Sequence, residues 1–213
     1  MYLSRLVPNL RSFAARRDLA SAYELHASLC RAFAAPDKAV PKFLWRLEPP
    51  QKYTLPTVLV QSTGLPGWEA FATDKFKDYF VGLPETKPIP LGHLQSAQML
   101  RFRLKANPTV TRIDPDNPAK RKRHGLKDVE TQLEWLSRQG QKGGFTVLGA
   151  MVAQSERVQM VKHKGGNPIT VQSVLYEGHL KVTDLETFRQ TLASGLGHAK
   201  ALGFGLLSVA RGA

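Results

Sequence analysis

The order of strands and helices that the sequence predicts occurs twice along the chain, and this repeat limits the possible folds more than any other feature. In the first half, the capping box Ser21-x-x-Glu24 opens a helix that runs to about Phe33. A basic connection with Arg11, Arg16 and Arg17 precedes it. The other predicted elements are strands at residues 2–7, Lys42–Glu48 and Thr57–Gln61, helical fragments at Trp68–Phe80, and an extended segment after the proline-rich stretch Pro84–Pro90.

The same order returns near residue 95 with a clearer pattern. Met99–Ala106 alternates between apolar and basic residues, as expected of a half-buried strand. The other elements are a helix at about Lys127–Arg138 with Val129, Leu133 and Leu136 inward, strands at Phe145–Val152 and Thr170–Val182, a helix opened by a capping box at Thr183–Glu186 with Leu185, Phe188, Leu192 and Leu196 as its stripe, and a strand at Leu206–Ala210. The pattern predicts an α+β fold of two tandem ferredoxin-like (RRM-like) βαββαβ domains, residues 1–94 and 95–213.

A glycine-rich segment joins the last helix to the last strand. Gly195, Gly197, Gly203 and Gly205 fall within eleven positions, with Lys200 between them. Glycine tolerates positive φ and lets backbone N–H groups approach a phosphate chain, so these five residues are predicted to contact a polyanion. The alternative is a helix C-cap followed by a tight turn, and the spacing alone does not choose between the two. No Ser or Thr follows a Lys after the last glycine, so a nucleotide P-loop is excluded.

Charge indicates the same kind of partner. The 213 residues include 30 Lys and Arg against 17 Asp and Glu, a formal net charge of +13, which favours nucleic acid or an anionic membrane. Membrane is the weaker choice because no apolar stretch approaches about 20 residues. The N-terminus lacks an apolar signal core, which predicts a cytoplasmic protein. With one cysteine, Cys30, and no clustered His or carboxylates, we expect no metal and no cofactor.

The positive charge is concentrated in the second half. Nine Lys or Arg lie between Arg101 and Lys127. Arg101, Arg103 and Lys105 share one strand face, where they would repel each other unless an anion covered them. A run such as Lys120–Arg123 is often only a solvated loop. The predicted RNA-binding cations are Arg101, Arg103, Lys105, Lys120, Arg121, Lys122, Arg123, Lys162 and Lys164, the last two in a basic hairpin.

Two residues of the first helix are candidates for chemistry. Tyr23 and His26 are neighbours by i,i+3 beside the apolar stripe, so both can project from the rim of a cleft. Histidine exchanges a proton near neutral pH. The structural alternatives are a histidine that packs or caps at the rim and a tyrosine that packs with its hydroxyl at the surface. Cys30, one turn further on, is predicted to pack.

Three motifs together resemble the CasE family, the CRISPR precursor-RNA (pre-crRNA) endoribonucleases of type I-E systems. They are Tyr23-Glu24-Leu25-His26, the segment Leu100–Pro108, and Gly195–Gly205 with the following Leu206–Val209. The resemblance implies metal-independent cleavage of a CRISPR repeat stem-loop at the base of its stem. The upstream 2′-hydroxyl attacks, which leaves a cyclic phosphate and a 5′-hydroxyl. It also implies that the enzyme keeps its product, the crRNA, within the Cascade antiviral complex.

The resemblance makes Tyr23 and His26 catalytic, with His26 moving a proton as acid or base and Tyr23 hydrogen-bonding the reacting groups. Other family members carry a basic residue after the histidine, where this chain has Ala27. Charge at the scissile phosphate must therefore come from elsewhere, from Lys200 or an arginine of residues 11–17. The competing function is a non-catalytic RNA-binding scaffold subunit of a CRISPR ribonucleoprotein, and a metal-dependent nuclease ranks third.

Overall fold

A computed structural model describes residues 1–34, 41–49, 52, 54–73, 76–114, 117–161 and 168–212. The elements of the first half are β1 (Tyr2–Leu6), α1 (Phe13–Leu19), α2 (Ala22–Leu29) with a 3₁₀ turn at Cys30–Phe33, β2 (Phe43–Leu47), β3 (Val58–Ser62), a 3₁₀ turn at Trp68–Phe71, and β4 (Glu85–Pro88). The strands form an antiparallel sheet in the order β2-β3-β1-β4. This is the ferredoxin-like order, with the second helix reduced to a 3₁₀ turn.

The second half repeats that sheet. After a 3₁₀ turn at Leu91–His93, its elements are β5 (Met99–Ala106), β6 (Thr109–Asp114), β7 (Asn117–Gly125), α3 (Val129–Lys142), β8 (Phe145–Val161), β9 (Pro168–Val182), α4 (Leu185–Ser194), a 3₁₀ turn at Lys200–Leu202, and β10 (Leu207–Arg211). The sheet order is β10-β5-β9-β8, while β6 and β7 form a separate two-stranded ribbon. The predicted class, α+β with two tandem ferredoxin-like halves, is confirmed. The domain boundary near residue 95 falls between β4 and β5 and stays a prediction.

Each half has its own apolar core. In the first, Leu25 and Leu29 of α2 pack against Trp45, Val58 and Val60 of the sheet. In the second, the buried side chains of β5 and α4 pack with those of α3. The alternation predicted for β5 is confirmed, because Leu100, Phe102 and Leu104 are buried. The basic side chains of β5 therefore lie on the opposite face of the sheet, toward the first half.

Several predicted details of the helices are wrong. Residues 13–19 form α1, capped by Ser12, and not a mere connection. In the stripe assigned to α3, Leu136 is buried and Leu133 packs against the core as predicted, but Val129 is exposed and Trp135, which was not assigned, is buried. The N-cap of α4 is Asp184, whose side chain accepts from the Thr187 N–H, so Thr183 does not cap the helix.

Two predicted connections are also wrong. The ribbon β6–β7 was not predicted as strand, since its sequence is dominated by charge. The extended segment β4 lies within the proline-rich stretch and not after it. As an edge strand of its sheet, β4 tolerates proline because one side of its backbone needs no ladder partner.

One buried arginine connects the two halves. Arg46 of β2 is 2% exposed and donates from Nη1 to the carbonyl oxygens of Arg103 (3.2 Å) and Leu206 (3.1 Å), and from Nη2 to Ser208 Oγ (3.0 Å). Its Nε donates to Glu48 Oε1 at 2.7 Å. Five donors in a planar fork suit this arrangement, and lysine offers no equivalent. Strand β2 is therefore fixed against β5 and the start of β10.

Candidate active site

His26 owes its position to the way in which α2 begins and packs. The Ser21 side chain accepts from the Glu24 N–H, as the capping box predicts, while Leu25 and Leu29 are buried in the first core. This orientation leaves His26 half-buried at the edge of the core. Its ring stacks on Phe43 of β2, with the ring centroids 5.1 Å apart and the planes 24° from parallel. The imidazole is thus held by the helix on one side and by β2 on the other.

The surroundings of the His26 ring favour its neutral form. Burial lowers the pKa of His26 below its ordinary value, because the charged form loses hydration. Nε2 lies 3.9 Å from Cys30 Sγ. Nδ1 is buried and has no hydrogen-bond partner within the described part of the chain. A neutral imidazole accepts a proton at one nitrogen and donates from the other, so the group is suited to proton transfer near pH 7.

Two predicted residues from distant parts of the sequence meet beside this ring. A cleft of about 500 Å³ is lined by His26, Cys30, Lys42, Phe43 and Lys200, and by neighbouring parts of β2 and α4. We call it the His26 cleft. Burial and, to a smaller degree, the charge of Lys42 lower the pKa of Lys200. The cleft combines a proton-transfer group with two cations, and sequence reasoning had not selected Lys42.

Tyr23 occupies a different position. It is half-buried and lies one turn before His26 on α2, which confirms the spacing but not a shared cleft. Among the described residues that line the His26 cleft, Tyr23 is absent. Its catalytic role stays a prediction.

The glycines of the 195–205 loop are required by the protein's own packing. Each has a φ between 74° and 87°. A Cβ at Gly195 would lie 2.7 Å from the Gly205 oxygen, one at Gly203 would lie 2.8 Å from the Trp45 ring, and one at Gly197 would lie 3.0 Å from Trp135. Gly195 is also the C-cap of α4. The alternative interpretation of the glycine spacing, a helix C-cap followed by a tight turn, is therefore correct for that residue.

Backbone contacts further limit how this loop can meet a ligand. The N–H groups of Gly195, Gly203 and Gly205 donate to carbonyl oxygens of the same chain. Those of His198, Ala199 and Lys200 have no such acceptor in the described ranges. RNA binding by the glycines stays a prediction. The backbone N–H groups that could donate to a ligand lie in the middle of the loop and not at its ends.

The three cations of β5 have different environments. Arg103 pairs with Glu48 (2.9 Å) and Glu177 (2.7 Å), so the premise that only an external anion could cover this face is wrong for Arg103. Arg101 is exposed. The Lys105 side chain is half-buried, with Nζ 5.7 Å from the centroid of the Phe204 ring. The sequence could not predict that these carboxylates pair with Arg103, because Glu177 lies 74 positions away from it along the chain.

The basic run at 120–123 is part of a strand and not of a loop. All four side chains are exposed on β7, which pairs with β6, and Lys122 contacts Asp114 at 2.7 Å. Because neighbouring residues on a strand point to opposite faces, the four cations are divided between both faces of the ribbon. Lys162 and Lys164 lie outside the described residues, so their predicted role has no structural test.

No group of three or more His, Cys, Asp or Glu side chains in the described portion could hold a metal ion. No helix there is long and apolar enough to cross a membrane.

The sheet orders and the His26 cleft define a tandem ferredoxin-like protein with a histidine–lysine site and a strongly basic surface. Residues 1–211 match the family described as CRISPR associated protein, and the chain belongs to that family. The family membership predicted from the three motifs is thereby confirmed.

Named relatives match over nearly the full chain. It is 38% identical to the CRISPR-associated endoribonuclease Cse3 of Thermus thermophilus over 221 aligned positions, covering 99% of this chain and all of the relative. It is 32% identical to the CRISPR system Cascade subunit CasE of Escherichia coli over 216 positions, covering 99% of both. A structure of CRISPR endoribonuclease Cse3 bound to 19-nucleotide RNA superposes with a TM-score of 0.84 at 38% identity, covering 99% of this chain and all of that one.

Proposed function

We propose that this protein is a CRISPR endoribonuclease that binds the stem-loop of a repeat, cuts the precursor RNA at the base of the stem and stays with its product in the Cascade complex. The full-length similarity to Cse3, which is named an endoribonuclease and matches in an RNA-bound structure, supports the activity. The Cascade subunit CasE supports the assembly. The observation that carries the proposal for this chain is that His26 and Lys200 line one cleft.

The reaction follows from the groups in that cleft. The RNA's 2′-hydroxyl oxygen attacks the adjacent phosphorus and the bond from phosphorus to the 5′-oxygen breaks, giving a cyclic phosphate and a 5′-hydroxyl. One proton leaves the 2′-hydroxyl and one is delivered to the leaving 5′-oxygen; His26 acts as the base in the first transfer or as the acid in the second, and solvent water exchanges the other proton. Lys200 and Lys42 stabilise charge on the phosphate, a role that Ala27 cannot fill. Tyr23 hydrogen-bonds the reacting groups.

The RNA stem is bound mainly through its phosphates, because A-form RNA hides its base edges in a deep groove. The proposed RNA-binding residues are Arg101, Arg103, Lys105, Lys120, Arg121, Lys122, Arg123, Lys162, Lys164, Gly195, Gly197, Lys200, Gly203 and Gly205. The exposed cations of β7 have the strongest support, since all four side chains are exposed on a ribbon that forms a two-stranded sheet of its own. Arg103 has the weakest, because two carboxylates already neutralise it.

We also propose that the two halves have different roles. Residues 1–94 supply the catalytic helix, and residues 95–213 supply the basic surface and the glycine loop. A cytoplasmic location is consistent with a substrate that is transcribed RNA and with a role in a ribonucleoprotein.

Incubation with a labelled repeat hairpin in EDTA tests the proposal and separates an enzyme from an RNA-binding scaffold. We expect one cut, and His26→Ala should slow it by roughly 10²- to 10⁴-fold, the usual value of a general acid or base. Binding should hardly change. His93→Ala is the matched control, since His93 is exposed on the 3₁₀ turn at 91–93 and lies outside the His26 cleft. Full activity of His26→Ala, or a strict need for magnesium, would contradict the mechanism.

A further inference from the structure

A second cleft continues from the first along α2. The His26 cleft is bounded by Phe43 of β2 and by Lys200 of the loop, and the second cleft, of about 430 Å³, is bounded by Trp45 and Leu202, two residues further along each segment. The two clefts therefore follow each other between the same pair of segments. The start of α2 also lines the second cleft, at Ser21, Ala22 and Leu25. We call it the Lys105 cleft, after the one cation among its described lining residues.

Lys105 is poorly neutralised where it stands. Its Nζ faces the Phe204 ring, and no carboxylate lies within ion-pair distance of it among the residues that the structure describes. Glu156 and Glu48 act on it only at longer range, and Arg46 opposes them. Burial lowers the pKa of Lys105, because the ammonium has lost part of its hydration. A cation in this state gains from an anion that enters the cleft.

The position of the cleft favours a neighbouring phosphate as this anion. The residues of α2 and its N-cap that line the Lys105 cleft lie one to five positions before His26, so the two clefts are offset along α2 by at most about 7.5 Å at 1.5 Å per residue. That separation is close to the spacing of neighbouring phosphates on one RNA strand. We propose that the Lys105 cleft binds the backbone phosphate next to the scissile one, with the Lys105 ammonium as its cation. This inference rests on the proposed function and adds a subsite that fixes which bond lies over His26.

The apolar lining of the cleft supports a single-stranded ligand. Leu47, Met160 and Leu202 lie around Lys105, so the site offers one charge beside apolar surface. Rows of exposed cations, such as those of β7, are better suited to bind the continuous line of phosphates of a duplex. A nucleotide at the end of the stem can instead place its phosphate at Lys105 and its sugar or base against these side chains.

Neutral methylphosphonates in the RNA test the subsite directly. The phosphates immediately before and after the scissile one are replaced singly, and each RNA is combined with Lys105→Met. Lys105→Met should weaken binding of the normal hairpin roughly ten- to hundred-fold, the effect of one lost charge-assisted hydrogen bond. When the phosphate that Lys105 contacts is already replaced by a neutral methylphosphonate, Lys105→Met should not weaken binding any further. Lys105→Arg should restore most of the binding.

Lys87→Met is the matched control, because Lys87 is exposed on β4, at the opposite edge of the first sheet from β2. The proposed subsite is refuted if Lys105→Met changes RNA binding no more than Lys87→Met does. It is also refuted if the loss of binding caused by Lys105→Met is fully additive with the loss caused by each of the two methylphosphonates. Thermal unfolding of each variant separates loss of binding from loss of fold. Failure of the wild-type protein to cut the hairpin would instead refute the proposed function, so the two failures are distinguishable.

Discussion

Replacing Gly203 with alanine tests whether the contact between β2 and the glycine loop holds the catalytic cleft together. The new Cβ would lie 2.8 Å from Cζ3 of Trp45 and 2.9 Å from its Cη2, whereas carbon atoms normally approach to 3.5–4.0 Å. The backbone or the indole must therefore move by up to about 1 Å. In addition, φ at this residue is 85°, in the left-handed region. Alanine costs about 1–2 kcal/mol there, and the overpacking adds about 1–3 kcal/mol.

The sum, about 2–5 kcal/mol, predicts a fall in melting temperature of about 4–20 °C for a chain of this length. Catalysis should suffer as well, because Gly203 is the C-cap of the 3₁₀ turn that carries Lys200. A 1 Å displacement of Lys200 from His26 should slow single-turnover cleavage by about 10²-fold even where the protein is folded.

The assay combines urea unfolding with single-turnover cleavage of the repeat hairpin. Gly82→Ala is the control, since a Cβ there meets nothing within 4 Å. In a Trp45→Leu background the added Cβ no longer meets the indole ring, so the energetic cost of overpacking should disappear while the cost of the left-handed backbone conformation remains. The coupling energy between the two substitutions should therefore be about 1–3 kcal/mol. Equal behaviour of Gly203→Ala and Gly82→Ala would refute the reasoning.

Three further predictions concern the reaction and the RNA contacts. If His26 acts as the base, cleavage at subsaturating RNA should rise with pH and level off, with an inflection below pH 6.5, because burial lowers the pKa of His26 and only its neutral form accepts a proton; an inflection above 7 would contradict this. Arg101→Gln should reduce the slope of log affinity against log salt by about one unit, whereas Arg103→Gln should reduce that slope by less, because Glu48 and Glu177 already neutralise part of the Arg103 charge, and should lower the melting temperature, because Glu177 loses its partner and Glu48 keeps only Arg46. A single 2′-deoxy nucleotide before the scissile phosphate should abolish cleavage with little loss of binding, and cleavage at that bond would mean that water is the nucleophile.

Local signals in the sequence predicted the elements whose residues interact with near neighbours. The capping box at Ser21 requires only the next three residues, and it marks the start of α2 correctly. The alternation of β5 follows from one sheet face being buried, so Leu100, Phe102 and Leu104 were assigned correctly. The ribbon β6–β7 had no such signal, because neither of its faces is packed on a core and its side chains need not alternate.

Long-range contacts explain what the sequence did not predict about the candidate site. His26 was selected from its helix and a family resemblance, but its stacking on Phe43 depends on how β2 packs. The glycine spacing suggested a ligand, yet Gly203 is required by Trp45, a residue 158 positions away. Likewise, the anions that cover Arg103 are Glu48, just after β2, and Glu177 of β9. A single sequence carries no pattern that links such distant residues.

The buried Arg46 means that the two ferredoxin-like halves are not interchangeable modules, even though each has a complete sheet and a core. A fragment that ends before β5 would keep the guanidinium but lose the carbonyl groups of Arg103 and Leu206 and the hydroxyl of Ser208. It would also expose β2, an edge strand, to pairing with other chains. Tandem RNA-recognition repeats in which each module folds alone can be recombined by swapping modules. This architecture must instead be inherited, engineered and expressed as one unit.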